Sequence, residues 1–459
     1  MKIKNLLTTL SIIALASCTL APKYKTPTTP VTLQTSDNPS KTKITTVTWK
    51  EFFKSPELQN VIQLALDNNR DFKIANLKIE AAQETHNVTR ANLFPNISAV
   101  GSKTQQGVPS AFAAFTPKTQ YRANLSLASY ELDFFGRLRS LKKSALEDFL
   151  ATKEAKNITE ISLIAETANA YAQFLSDSKM LEIAALAVEA HQQKYNFTNS
   201  KYNNGVASKL DFLYAKTLLE KAKMNKANYE KIVSKDKSTL MLLTGVFDEK
   251  LLPLQASLDD IEINENLLEF LPSDTLLSRP DIKQAEHKLK GANANIGAAR
   301  AAFFPSITLT GSYGYGSQDF SNLFNSKTWS FTPQINLPIF SGGRGFANLN
   351  ISHIRKKIEI ANYEKAIQTA FKEALDQLAT RQIIENNLKS SENIFKAQED
   401  YYKLSKLRYE VGTSAADDML DDNLLLLSAQ QDFTDIRKEY IANLINLYKV
   451  LGGGSEVVE

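Results

Sequence analysis

The chain has 459 residues, 43% of them hydrophobic, and 54 basic against 50 acidic side chains give a formal net charge of +4. This near balance, without any basic run, argues against a nucleic-acid partner. A mean hydropathy of −0.26 argues against a polytopic helical membrane protein. The four histidines stand apart, with no cysteine or carboxylate at ligand spacing, so neither a metal site nor a cofactor is expected.

The first 18 residues have the pattern of a lipoprotein export signal. Two lysines precede the apolar run Leu6–Leu15, which is too short to span a bilayer but suits a signal-peptide core. The run ends in Leu-Ala-Ser-Cys18, which resembles a bacterial lipobox. We therefore predict a signal peptide over 1–17 and a covalent lipid on Cys18; an ordinary signal peptide with a chance cysteine is the alternative. Thr19 favours the outer membrane, and the lack of further cysteines excludes disulfides.

Residues 18–48 are rich in Thr, Pro, Ser and Lys, a composition that cannot bury a core of its own. We expect a lipidated, extended arm there. The ordered part opens at Trp49, and from Pro56 to Asn92 apolar residues recur at helical spacing.

A junction from helix through proline to strand occurs twice, at Arg90–Gly101 and at Arg300–Gly316. Beyond each proline, apolar and polar side chains alternate as they do in a strand with one apolar face. Similar alternation predicts four strands in all. The first follows Pro95, the second begins at Tyr121, and the third and fourth cover Pro305–Gly316 and Trp329–Ile339. The alternation slips phase near Ser129–Tyr130, which predicts either a β-bulge or the end of the membrane-facing portion.

Long proline-free helices follow each strand pair, the first from about Gly136 to Tyr202. Lys201-Tyr-Asn-Asn-Gly205 returns 207 residues later as Arg408-Tyr-Glu-Val-Gly412, so the chain is a tandem duplication. The predicted organisation is given by segment: first repeat 49–245, equatorial linker 246–270, second repeat 271–451 and C-terminal tail 452–459.

Four half-polar strands of about ten residues suit an outer membrane, where backbone groups must be paired in a closed barrel. Four strands cannot close a barrel, since bacterial barrels begin at eight. Several copies must therefore share their strands. From the residues alone, a dimer, a trimer and a tetramer remain open.

Four segments resemble those of the outer-membrane factors, the TolC-like family, and in particular the lipoprotein branch that serves resistance-nodulation-division efflux pumps. They are YELDFFGR (130–137), LPSDTLLSRPDI (271–282), ANANIGAARAAFFPSITLTGSYGYGS (292–317) and WSFTPQINLPIFSGGR (329–344). The resemblance implies an α+β membrane protein and a homotrimer. It implies a shared twelve-strand outer-membrane β-barrel, four strands from each chain, above a twelve-helix periplasmic α-barrel. Residues 40–57, 246–270 and 450–459 would form a mixed equatorial domain.

The resemblance also implies a periplasmic gate in the turn between the last two long helices, Gly412–Asp422. Asp417 and Asp421 match the constricting positions, one helical turn apart, and each would form a carboxylate ring in the trimer. Position 417 is often apolar in the family, so an aspartate departs from the pattern. Asp418 and Asp422 lie on the next face. The alternative is that all four aspartates simply favour the positive end of a helix dipole.

The equivalent turn of the first half, Gly205–Asp211, resembles the hairpin that contacts a periplasmic adaptor protein, with Gly205, Val206 and Asp211 as candidate contacts. Gly412 is the matching candidate in the second half. The alternative is a plain helical hairpin with glycine at the helix C-terminus.

The implied function is the passive exit duct of a tripartite efflux pump, and its partners are the adaptor, an inner-membrane transporter and outer-membrane lipid. A type I secretion conduit shares the fold and is the first alternative, although the lipobox and the SRPD motif (278–281) favour efflux. A structural coiled-coil lipoprotein would not explain the four strands. An enzyme is not expected, because the sequence has no phosphate loop, nucleophile elbow or metal cluster.

Overall fold

A computed structural model describes residues 19–31, 48–107, 109, 118–265 and 276–453. The predicted signal peptide, Cys18 and the end of the C-terminal tail lie outside the described residues. The chain divides into two compact units. Unit 1 comprises 1–29, 77–154 and 283–365, and unit 2 comprises 30–76, 155–282 and 366–459.

The described α-helices are α1 (Trp49–Phe52), α2 (Pro56–Asn68), α3 (Arg70–Ala91), α4 (Arg137–Asn203), α5 (Lys209–Thr244), α6 (Pro280–Ala301), α7 (Arg344–Glu410) and α8 (Ala416–Val450). The strands are β1 (Ile97–Gln105), β2 (Thr119–Leu132), β3 (Ser306–Ser317) and β4 (Lys327–Asn336). The predicted long helix from Gly136 to Tyr202 is confirmed as α4, and α7 repeats it at the same length of 67 residues.

Within the described part of the chain, no helix combines the length and the apolarity that crossing a membrane requires.

The four strands of unit 1 form one antiparallel sheet in the order β1-β2-β3-β4. The predicted bulge is confirmed, because the pairing of β2 with β3 shifts register between Leu127 and Tyr130. Ser129, which lies in the shift, has a φ of +43°, a left-handed backbone that non-glycine residues seldom adopt.

The prediction for the fourth strand was too long at its C-terminal end. β4 ends at Asn336, so Pro338 lies beyond the strand. Pro333 is opposite Leu309 of β3, and β4 has no second neighbour in the described sheet. Proline has no backbone N–H donor, and an edge strand tolerates it at position 333. The strand ends two residues before the next proline, Pro338.

The single helix predicted over 56–92 is broken at Asn69. Asn69 has an extended backbone, and its Oδ1 accepts hydrogen bonds from the backbone N–H groups of Asp71 (2.9 Å) and Phe72 (3.1 Å). Its Nδ2 donates to the carbonyl oxygen of Leu243, 2.9 Å away near the end of α5. Asparagine favours this helix-capping position, so one side chain starts α3 and binds it to α5.

The largest hydrophobic core belongs to unit 2. Phe52 and Phe53 pack there against Tyr448 of α8, with the Phe52 and Tyr448 rings stacked at 4.7 Å. Phe53 also forms an isolated antiparallel bridge with Ile263. Leu252, Leu258 and Ile261 complete the core from the segment after α5. The described parts of the segments predicted as equatorial therefore contribute to one core.

Gly245 and Gly205 offer a matched test of close packing at helix ends. Gly245 has a φ of +66°, and a Cβ atom there would lie 2.6 Å from the carbonyl oxygen of Asn68. Gly205 has a φ of +72° with nothing within 4 Å of such an atom. We expect Gly205→Ala to lower the free energy of unfolding by about 1 kcal/mol through backbone strain alone. Gly245→Ala should cost about 1–3 kcal/mol more through steric overlap.

Chemical unfolding followed by circular dichroism at helix wavelengths measures both losses. Equal losses for the two variants would contradict the close approach of α2 to the end of α5.

Candidate functional site at the ends of the helical hairpins

The two hairpin turns in unit 2 have the same construction. After α4, the N–H of Gly205 donates to the carbonyl of Tyr202 (3.0 Å), and the N–H of Val206 donates to that of Lys201 (2.8 Å). After α7, the N–H groups of Gly412 and Thr413 make the equivalent bonds at 3.0 and 2.8 Å. Both glycines are left-handed, so each helix ends in a Schellman motif. The duplication thus extends to single hydrogen bonds.

The two second helices begin differently. Ser208 caps α5 in a reciprocal arrangement, in which its Oγ accepts from the N–H of Asp211 (3.2 Å) and the Asp211 carboxylate accepts from the N–H of Ser208 (3.0 Å). The hydrogen bonds from Ser208 hold the pKa of Asp211 below its usual value. Ala415 occupies the equivalent position before α8 and provides no side-chain cap.

The four candidate aspartates lie on α8 and not in the turn, because the helix already begins at Ala416. Asp417 and Asp418 fall in its first turn, where the helix dipole favours carboxylates. Asp421 and Asp422 follow one turn later. Among the described residues, neither Asp418 nor Asp422 takes part in an ion pair.

Asp417 and Asp421, in contrast, both bind lysines of α4. The Nζ of Lys201 lies 2.7 Å from Oδ2 of Asp417, and the Nζ of Lys194 forms an ion pair with Oδ1 of Asp421. These two pairs, which we call the lysine–aspartate contact, join the end of α4 to the start of α8. Sequence reasoning missed both lysines. Their seven-residue spacing places them on one face of α4, but it does not reveal their partners.

The surroundings of the lysine–aspartate contact are partly apolar. The Nζ of Lys201 lies 4.2 Å from the centroid of the Phe197 ring, within cation–π range. Burial and the charge of Lys194 lower the pKa of His191, with Asp421 acting in the opposite direction. Oδ1 of Asp417 is buried and finds no hydrogen-bond partner among the described atoms. The contact is therefore partly desolvated and incompletely satisfied.

Comparison with known proteins places the chain in a family. Residues 61–246 and 271–453 match the family model described as outer membrane efflux protein. The chain is 41% identical to the probable efflux pump outer membrane protein TtgC of Pseudomonas putida, over 96% of this chain and 93% of that protein. It is 34% identical to the outer membrane protein OprJ of Pseudomonas aeruginosa, over 96% and 94% of the two chains. The chain belongs to the outer membrane efflux protein family.

Solved structures share the fold. The open state of the Neisseria gonorrhoeae MtrE outer membrane channel matches with a TM-score of 0.83 at 34% identity, over 95% of this chain and 98% of that one. The Campylobacter jejuni CmeC outer membrane channel also matches with a TM-score of 0.83, at 26% identity over 96% of both chains. The predicted fold class, family and outer-membrane location are confirmed.

The unequal helix starts lead to a prediction. Ala415→Ser should allow the reciprocal cap with Asp418 that Ser208 makes with Asp211, and it should stabilise the start of α8 by about 0.5–1 kcal/mol. Hydrogen–deuterium exchange of peptides that cover 415–425 should then slow a few-fold. Ser208→Ala, the reverse change, should speed exchange at the start of α5. Slower exchange at α5 in Ser208→Ala would refute this account of the caps.

Proposed function

We propose that this chain forms a homotrimeric exit duct that conducts small molecules passively from an inner-membrane transporter, through a periplasmic adaptor, to the outside of the cell. The chain belongs to a family of outer membrane efflux proteins, and TtgC is named as the outer membrane protein of an efflux pump. In this proposal the protein performs no chemistry itself. The described residues contain no cluster of three or more histidine, cysteine, aspartate or glutamate side chains that could hold a metal ion.

The free edges of the sheet support assembly from several copies. β1 and β4 each have a single neighbour in the described sheet, and every residue of both strands is exposed. Unpaired strand edges cannot persist in lipid, so another copy must cover each one. Three copies would supply twelve strands, which is enough for a closed barrel.

The lysine–aspartate contact is the observation that supports the gate. It joins α4 of the first hairpin to α8 of the second hairpin at the predicted constricting residues, Asp417 and Asp421. In our proposal the pairs hold α8 inward at rest, and breaking them lets the α7–α8 hairpin move outward. Asp418 and Asp422, which lack ion pairs in the described chain, would add negative charge near the opening and attract cations.

The hairpin ends are also the proposed surface for the adaptor. Val206 is 76% exposed beside Gly205, in a turn whose other members are mostly exposed. The cap with Ser208 lowers the pKa of Asp211 and fixes its carboxylate at the start of α5, where it would face a partner. Gly412 holds the equivalent turn of the second hairpin.

The N-terminal arm supports membrane anchoring by a lipid on Cys18. In unit 1, Tyr24 donates to Glu286 of α6 (3.1 Å), and the carbonyl oxygen of Pro22 accepts from Asn293 (2.8 Å). The carbonyl oxygen of Leu20 accepts from Arg300 at the end of α6 (3.2 Å). The arm thus lies along α6 towards the start of β3, and a lipid two residues before Leu20 would be held near the strands.

Single-channel conductance in planar bilayers tests the duct and its gate. The wild type should give a small, cation-selective conductance, and Asp417→Ala with Asp421→Ala should raise it several-fold because both ion pairs of each chain are lost. Asp418→Ala with Asp422→Ala removes the same charge from the same helix and should leave the conductance nearly as small.

If the wild type and both double variants are well folded but none forms a channel, the proposed duct function is wrong. Equal conductance in the two double variants would keep the duct but move the gate away from Asp417 and Asp421.

A further inference from the structure

One face of the four-stranded sheet is apolar and exposed. Leu125 of β2 lies opposite Tyr313 of β3, which lies opposite Trp329 of β4, so all three side chains project from the same face. They are between 55% and 76% exposed. The other face carries hydroxyl groups, and Ser312 and Ser330 hydrogen-bond there across two strands at 2.8 Å. In an outer-membrane sheet the apolar face is the one that meets lipid.

The two ends of this sheet differ. The helices α3, α4, α6 and α7 all join the strands at one end, while β1 leads to β2, and β3 to β4, at the other end. We call the latter the loop end. The proposed duct has its long helices in the periplasm, so its loop end faces the outside of the cell. This orientation rests on the proposed function.

Basic and aromatic side chains lie together on the apolar face near the loop end. Lys103 of β1 is opposite Tyr121 of β2, and its Nζ lies 5.5 Å from the centroid of that ring. Tyr315 of β3 is opposite Lys327 of β4. Both tyrosines lie an even number of residues along their strands from the apolar positions, so they project from the apolar face. An aromatic centre on β2 and β3 is thus flanked by a lysine on each side.

The segment between β3 and β4 adds two more aromatic rings. It forms a short 3-10 helix, Phe320–Asn325. Phe320 packs edge-on against Tyr121, and Phe324 packs edge-on against Tyr315, each with ring centroids 5.5 Å apart. Phe320 and Phe324 nevertheless remain 70% and 68% exposed. Such rings suit the boundary between lipid and water, where aromatic residues girdle outer-membrane sheets. We define the outer rim patch as Lys103, Tyr121, Tyr315, Phe320, Phe324 and Lys327.

Little acidic charge is available to neutralise the lysines of the outer rim patch. Residues 96–130 contain no aspartate or glutamate, and residues 305–340 contain only Asp319. Both Lys103 and Lys327 are exposed. A lysine on the lipid face is tolerated near the membrane boundary, where its stem lies on apolar surface and its ammonium group reaches polar groups. The patch therefore presents two ammonium groups that an anion from outside the chain can bind.

We propose that the outer rim patch binds a phosphorylated glycolipid of the outer leaflet. Lys103 and Lys327 bind its phosphate groups, and Phe320 and Phe324 lie among its sugars and the upper parts of its acyl chains. Ammonium groups make strong, charge-assisted hydrogen bonds to phosphate oxygens. The outer leaflet of an outer membrane is rich in glycolipids that carry phosphate, so the charges of the lipid and of the patch are complementary.

The position of the lysines selects the outer leaflet as the source of the lipid. At the helix end of the sheet, Glu131 of β2 already pairs with Arg137 of α4, whereas the lysines lie at the loop end. The proposed lipid on Cys18 would be held near the start of β3, at the helix end. The chain would then be anchored in both leaflets, by its own lipid in one and by a bound glycolipid in the other.

Native mass spectrometry of the full-length, lipidated protein in mild detergent tests the site. The probes are lipid A, a phosphorylated glycolipid, and dephosphorylated lipid A, and the wild type should bind the first several-fold more tightly. Lys103→Gln and Lys327→Gln should each weaken the binding of lipid A about fivefold, and together roughly twentyfold. The matched control is Arg122→Gln, which removes one charge next to Tyr121 from the opposite face of β2. It should leave the binding unchanged.

Equal binding of the two probes by the wild type, or an equal loss in Arg122→Gln, would overturn the lipid site. Single-channel conductance of the same samples separates the site from the proposed duct, and the double lysine variant should conduct as the wild type does. A double lysine variant that conducts normally and still binds lipid A as tightly as the wild type would overturn the lipid site alone. A wild type that prefers lipid A but forms no channel would overturn the duct and leave the lipid site.

Discussion

Two lysine–aspartate ion pairs connect the ends of α4 and α8, and the gating account depends on their strength. The four side chains are between 21% and 53% exposed, so each pair contributes only about 0.2–1 kcal/mol. Three chains would place six such pairs in two rings of three. In the proposed gate, such a contact would close the channel without locking it, because a docking partner can offset a few kcal/mol.

The α7–α8 hairpin is held much more firmly at the end that lies away from Asp417. Arg279 lies next to the start of α6, and its side chain is only 9% exposed. It donates to the carbonyl oxygen of Val450 at the end of α8 (2.7 Å) and to the carboxylate of Glu373 on α7 (2.8 Å). Removing one partner of a buried, hydrogen-bonded charge costs several times more than breaking an exposed pair. The hairpin of α7 and α8 is therefore anchored near Arg279 and weakly held near Asp417, as a gate that swings from one end requires.

Much of this structure could be predicted from local patterns in the sequence. Alternation gave the strands and the slip at Ser129, and the repeated glycines gave both hairpin turns. The break at Asn69 was missed because the helical pattern was extended through it, although asparagine favours a helix-capping position. The bond from Asn69 to the carbonyl of Leu243, distant in sequence, could not be predicted from local pattern. The partners of Asp417 and Asp421 were missed for the same reason. Lys201 and Lys194 are more than 200 residues away, and no local pattern relates side chains at that distance.

The most direct test of the gate is a charge exchange at one pair, read out as single-channel conductance. Lys201→Asp alone and Asp417→Lys alone each place like charges together, so each should open the channel. The combined variant restores an opposite pair with its polarity reversed, and we predict a conductance close to that of the wild type. If the combined variant conducts at least as much as either single variant, the ion pair does not hold the gate closed.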